Sequence, residues 1–465
     1  MMEDSGAAAE CAREDGIAMN PIHGPYGHVA QEESRSIDVE EAISRIGYGW
    51  YQKRLMFLSA ALWMADSMEV SLLSFLYSCV GASLNLTPVR AASIVSIVFA
   101  GELVGSAVAG PAADALGRKP ASLAAAGVVA VAGIATAAAP SFAVFVVLRG
   151  IVGVGVGALA VPFDLAAEFL PNDSRGKNLT LLEFAWAGGA MYATAASWAT
   201  GRNWRLLVLA CALPFVFAFL AATLFLDESP VWLVSRGKTA EAQSVVAKVA
   251  KVNGSTTATY AFKQVPTKAA AASWTRLWAK DLRTKTFLVW VVWIGFGLDF
   301  YGISLLVTKL FDRQGADCAF RYPFILLVTT SEIAGAAALL FSIDRLGRVK
   351  AQAIPYVVAA SSLVPILFFL DTTWVVFSCL YLALGAQMMA SSAAWVHVPE
   401  LFPTDVRSTA HSFALAVSRL SAFASSYVVD STLPLPFVVL VLAAAALASA
   451  LASLALPETL GAHLA

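Results

Sequence analysis

The chain contains itself twice, and nothing else in it limits the fold so strongly. GELVGSAVAGPAADALGRKP, from Gly101, is an apolar run holding Glu102, then a polar turn with Asp114, Gly117, Arg118 and Lys119. SEIAGAAALLFSIDRLGRVK, from Ser331, repeats it: Glu332 precedes Asp344 by twelve residues, as Glu102 precedes Asp114. Both pairs lie 230 residues apart (332 − 102 and 344 − 114). Trp63 and Glu69 map onto Trp293 and Asp299, and DESP at Asp227 onto PETL at Pro457, with the same offset. AEFLPNDSRG from Ala167 maps onto PELFPTDVRS from Pro399, where Glu168 and Glu400 each stand seven residues before Arg175 and Arg407. A unit this long is no solenoid repeat. It suits a membrane protein of two parallel halves related by an axis along the membrane normal.

Composition points the same way. The chain is 58% hydrophobic and 14% charged, where a soluble domain carries about 25% charged residues. Twelve apolar stretches of spanning length lie between Leu55 and Leu456, judged against about 20 residues for a hydrocarbon core. A net charge of −1 implies no polyanion-binding surface, and no nucleic-acid partner is expected. The five cysteines show no metal spacing, and no metal or cofactor is expected. Cys79 and Cys318 fall on the same side of the membrane, but a disulfide between them is not expected, because connectivity is not legible in spacing.

Residues 1–50 read as a cytosolic tail, mostly disordered, with a short helix from Ser36 for which Asp38 is the N-cap candidate. No charged segment leads into an apolar run there, so no signal peptide is expected. Residues 51–227 form the first six-helix half, 228–285 a cytosolic linker with a helix over TAEAQSVVAKVAKVNG, and 286–465 the second half. Short loops on one side carry Arg118, Lys119, Arg175, Lys177, Arg345, Arg348, Lys350 and Arg407, which puts both termini in the cytosol. Asn85-Leu86-Thr87 is the one glycosylation sequon on the outer side.

The turn from Gly110 to Arg118 and its copy from Asp344 to Arg348, the RGIVGVGVG run at Arg149, ESP at Glu228 and PET at Pro457 resemble the major facilitator superfamily. IDVEEAISRIGYGWYQKRL followed by WMADSMEV, with NWRLLVLACALP and ELFPTDVRSTA, is similar to the branch of synaptic-vesicle-protein-related and niacin-type organic-ion transporters. The resemblance covers Ser36 to Gly461 and implies an all-α fold of twelve spans in two six-helix halves. It also implies that the polar turns form charge networks holding the cytosolic gate: Asp114, Gly117, Arg118, Asp344, Gly347 and Arg348, with Glu168, Arg175, Glu228, Glu400 and Arg407 as partners. DESPVWL departs from the branch's PESPRWL at Asp227 and Val231, and His397 stands where relatives carry an aromatic residue. The run from Gly150 to Gly157 lies inside a span and follows no strand, so it reads as close helix packing rather than a nucleotide loop.

An ionisable side chain at the bilayer centre costs about 2.5–3.5 kcal/mol on insertion scales, so each such residue is a functional candidate. The candidates are Asp66, Glu69, Glu102, Arg149, Asp299, Glu332 and Arg419, with Glu183 a further carboxylate. Asp66 and Glu69 share a helix face at i and i+3: either they handle protons or a cation, or they line a wet cavity. Glu102 and Glu332, as symmetric copies beside the turns, are expected to clamp helices, with proton coupling the alternative. Arg149 and Arg419 lack charged counterparts 230 residues away, so each requires an anion, a carboxylate of the chain or the substrate. Trp63, Trp186, Trp293, Phe300 and Tyr301 are candidate cavity linings, and His397 is expected to pack. The reading is a monomeric secondary transporter, not an enzyme, moving a small organic ion by alternating access with proton symport. A carrier of sugars or other neutral solutes, or a nutrient sensor that keeps the fold, are the alternatives.

Overall fold

The computed structural model describes residues 37–84, 86–255, 262, 274–312, 318–403, 406–430 and 433–460. The tail before residue 37 and the sequon residue Asn85 lie outside this set. Among the described residues the chain is almost wholly helical: α1 Val39–Ile46, α2 Trp50–Ser83, α3 Pro88–Leu116, α4 Arg118–Ala137, α5 Phe142–Gly157, α6 Ala160–Glu168, α7 Asn172–Thr200, α8 Trp204–Phe225, α9 Pro230–Ser235, α10 Thr239–Asn253, α11 Arg283–Leu310, α12 Tyr322–Leu363, α13 Thr373–Leu401, α14 Arg407–Asp430 and α15 Leu435–Ala455.

Ten segments are long and apolar enough to cross a membrane. One of them, Tyr322–Leu367, leaves helical geometry at Gly347 (φ 79°, ψ 170°) and so supplies two spans. The fourth span is α5 and α6 in line. Helix α7, whose spanning part is rich in Ala, with Gly and Thr, completes twelve. The halves meet where α3 packs on α14, α7 on α12 and α2 on α11.

Within the first half, α3 and α5 approach at backbone distance. A Cβ placed on Gly157 would collide with the backbone of Glu102, so small residues on α5 set how deep Glu102 sits. In both halves the polar turn is a positive-φ glycine, Gly117 (φ 112°) and Gly347 (φ 79°), a conformation side chains with a Cβ rarely adopt.

A small core forms beside the first half from α1, α9, α10 and Phe262. Asp38 occupies the N-cap position of α1, but its side chain makes no capping bond. Its carbonyl accepts from the Ala42 amide at 3.0 Å. Helix α10 matches the expected linker helix and closes with a left-handed Gly254. Asp227 now has a reason to replace the usual proline: it accepts from the Tyr51 hydroxyl at 2.9 Å and from Lys248 at 2.7 Å, tying α2 to α10. Asn253 adds bonds to the Tyr51 amide (2.9 Å) and Gln52 (2.8 Å).

The ends remote from the polar turns are shut across the two halves. Ser96 and Ser426 hydroxyls pair at 2.6 Å, Phe75 meets Phe320 edge-on at 5.3 Å, and Cys79 is bonded to Cys318 with Cα atoms 4.5 Å apart. The disulfide corrects the sequence expectation. The end of α2 and the segment before α12 become neighbours only through the docking of the halves, 239 residues apart in sequence.

Candidate functional site

At the centre, Arg419 of α14 lies between two carboxylates of the other half. Its Nη1 is 2.8 Å from Glu102 Oε2 on α3, and its Nη2 is 3.6 Å from Asp66 Oδ2 on α2. It also donates to the Tyr301 hydroxyl on α11 and stands 5.7 Å from that ring's centroid. All four side chains are buried. A buried charge is tolerated only where opposite charge and donors compensate its lost hydration, and here that compensation crosses the interface between the halves.

The other candidates separate from this cluster. Glu69 pairs with Arg149 inside the first half, so Asp66 and Glu69, though neighbours on α2, serve different partners. Glu332 is buried, with one carboxylate oxygen lacking a hydrogen bond, and lines a second small cavity with Ser71 and Thr329. Glu102 and Glu332 are thus copies in sequence but not in contact: Glu102 reaches an arginine and Glu332 has none among the described residues. The asymmetry follows from Arg419, which has no charged repeat. Asp299 is fully buried, and neither carboxylate oxygen is hydrogen-bonded.

A cavity of ≈ 30 Å³ touches Asp66, Glu183 and Arg419, walled by Trp63, Trp186, Phe300, Tyr301 and Trp395. That is about the share of one water. Trp293 does not border it; its ring stands behind, 5.4 Å from Trp395 and 5.6 Å from His411. Below Trp395 opens a vestibule of ≈ 420 Å³ reached by Arg118, Glu168, Arg407 and His411. Trp395 and Leu415 border both spaces, so Trp395 is the partition. Its ring packs on Trp63 (5.7 Å), Phe163 (6.1 Å) and His411 (4.8 Å). Neither Trp395 nor His411 was a sequence candidate, since a tryptophan in an apolar run has no one-dimensional mark of its neighbours.

The turn motifs build one device twice. Arg118 pairs with Asp114 (2.7 Å) and Glu168 (3.6 Å), and the Glu228 carboxylate accepts from the amides of Arg118 (2.8 Å) and Lys119 (3.2 Å). Arg348 pairs with Asp344 (3.5 Å) and Glu400 (3.1 Å), while Glu458 accepts from the amides of Arg348 (2.8 Å) and Val349 (3.1 Å). A Cβ on Gly117 or Gly347 would strike those same carboxylates. Each glutamate therefore caps a helix N-terminus through the space a glycine leaves. Glu458 was missed although it is the copy of Glu228, 230 residues on (458 − 228). Burial pushes its carboxyl up, but the amides of Arg348, Leu460, Val349 and Thr459 outweigh this and hold it below the ordinary value. Arg175 turns instead to Glu40 on α1 (3.7 Å), and Arg407 donates to the Phe402 carbonyl (3.4 Å). These two do not join the networks, which stay within their own halves. His397 packs as expected, between Gln352 (2.6 Å) and the Pro457 carbonyl (3.0 Å).

Residues 50–465 match the family described as sugar (and other) transporter. The chain belongs to that family. Among curated relatives of this transporter, the synaptic vesicle 2-related protein of Xenopus laevis is 30% identical over 91% of this chain and 81% of its own length. The niacin transporter NiaP of Acinetobacter baylyi is 27% identical over 84% of this chain and 90% of its own. Among solved structures, the partially occluded inward-open xylose transporter XylE of E. coli superposes with a TM-score of 0.71 at 18% identity, covering 89% of this chain and all of that one. The transporter is thus a multi-pass membrane protein with the twelve-helix major facilitator fold, and not an enzyme.

Proposed function

We propose that this transporter moves a small organic ion by alternating access, coupled to protons through Asp66 and Glu102. The observation that carries the reading is Arg419, shared between those two carboxylates across the interface of the halves. Rocking the halves parts α14 from α2 and α3, so the ion pairs must break and re-form in each cycle. A carboxylate that loses its arginine in a dry site is stabilised by taking a proton, which links proton uptake to the motion. With the polar turns facing the cytosol, as the positive charge of their loops favours, the ≈ 420 Å³ vestibule opens inward. We take the transporter to act as a monomer with both termini cytosolic. The polar-turn networks, each inside its own half, then brace the helix ends on either side of the inner gate, with residues 228–285 linking the halves.

The name of the niacin relative agrees with an organic-ion cargo. A sugar or neutral-solute carrier is the reading favoured by the family's own name; the buried Glu183 among aromatic walls favours the organic ion. In proteoliposomes with an imposed pH gradient, Asp66→Asn is expected to abolish gradient-driven accumulation while exchange of bound substrate persists. Identical pH dependence in parent and variant would rule the coupling role out.

A further inference from the structure

We infer that the central cavity takes a small organic cation, held by Glu183 and faced by Trp63, Trp186 and Trp395. The inference rests on the organic-ion reading above and fixes its sign. Charges decide it first. Arg149 is matched by Glu69, and Arg419 already faces two carboxylates, Glu102 and Asp66. An anionic cargo must displace both to reach the guanidinium. Glu183 borders the same cavity, is 9% exposed, and has no basic partner among the described residues. The cavity therefore holds more negative than positive charge.

The walls decide it next. Trp63 and Trp186 rings lie 5.7 Å apart, Trp186 and Phe300 5.9 Å, and Trp63 and Trp395 5.7 Å. Faces of such rings attract a cation within about 6 Å of the centroid, Trp most strongly. Two polar atoms on the lining, Trp63 Nε1 and Asp66 Oδ1, are buried and without a hydrogen-bond partner, and buried groups of this kind ordinarily have one. A cargo with a donor near its charge satisfies Asp66 Oδ1. The ≈ 30 Å³ of this closed state grows when Trp395, the partition, swings toward the vestibule, so entry and enclosure use the same ring.

The test is equilibrium dialysis of the full chain in detergent against radiolabelled 1-methylnicotinamide, a planar cation, and nicotinate, an anion on the same ring. The cation is expected to be retained and the anion not. Glu183→Gln is expected to weaken retention about tenfold, the effect of losing a desolvated charge partner. Trp186→Leu should weaken it similarly while Trp186→Phe preserves it. Should Glu183→Gln not fold, Glu183→Asp, which keeps the charge and must keep the binding, carries the test with the Trp186 pair. Retention of nicotinate undiminished by Glu183→Gln overturns the cation assignment yet leaves the organic-ion reading standing, since that is checked at Asp66. Retention of neither ring overturns the assignment as well.

Discussion

Arg419 concentrates the energetics of the molecule in one side chain. Removing one partner of a buried ion pair leaves the rest uncompensated and costs about 3–5 kcal/mol, whereas removing the pair together is far milder. Arg419→Leu is therefore expected to lower the unfolding midpoint sharply, and Arg419→Leu with Glu102→Gln to recover part of that loss. Simple addition of the two single effects, measured by thermal unfolding in detergent, would show that the 2.8 Å pair carries no coupling. Much of this residue was legible beforehand: a lone arginine in a span must find an anion. Which anion it finds was not, because Glu102 and Glu332 are indistinguishable in sequence until the fold gives one of them an arginine. Trp395 left no signal at all, for its importance comes from having open space on both sides of its ring.

At the scale of elements, the polar turn is a joint between two helices, made from a glycine and a distant glutamate. Gly117→Ala forces a Cβ into positive φ, at about 1–2 kcal/mol, and pushes against Glu228. Gly110, in the same motif, has open space around its Cα, so Gly110→Ala in mid-helix is expected to be neutral or stabilising by about 0.5–1 kcal/mol. Equal destabilisation by the two variants, read from thermal unfolding, would refute the joint. The second copy adds a pH signature. The folded-state carboxyl of Glu458 lies below the ordinary value of 4.5, so its contribution is full above that value and fades as pH falls through the lower folded one. Glu458→Gln should flatten that acid limb in a series of melting curves. The joint's glycine, aspartate and arginine could be read from the repeat. The capping role of the glutamate could not, because it spans 110 residues of chain.

For the whole molecule, the duplication foretold two halves and the apolar runs twelve spans, and the cross-half closures came only with docking. The bond between Cys79 and Cys318 holds the halves together at the end away from the polar turns, so opening there is expected to require its reduction by thiol exchange. Uptake into proteoliposomes is expected to rise on treatment with a dithiol, and Cys79→Ser to show the raised rate without it. Equal rates in all three conditions would mean that the far end opens around an intact bond.

That bond changes the mechanics of the machine. Two halves free at both mouths move as a seesaw, each opening matched by a closing. Riveted at one mouth, they move as a pair of tongs, with the pivot at the rivet and the whole of the travel at the jaws. While the rivet holds, the jaws at the polar turns are expected to sample and release a cargo repeatedly without passing it across.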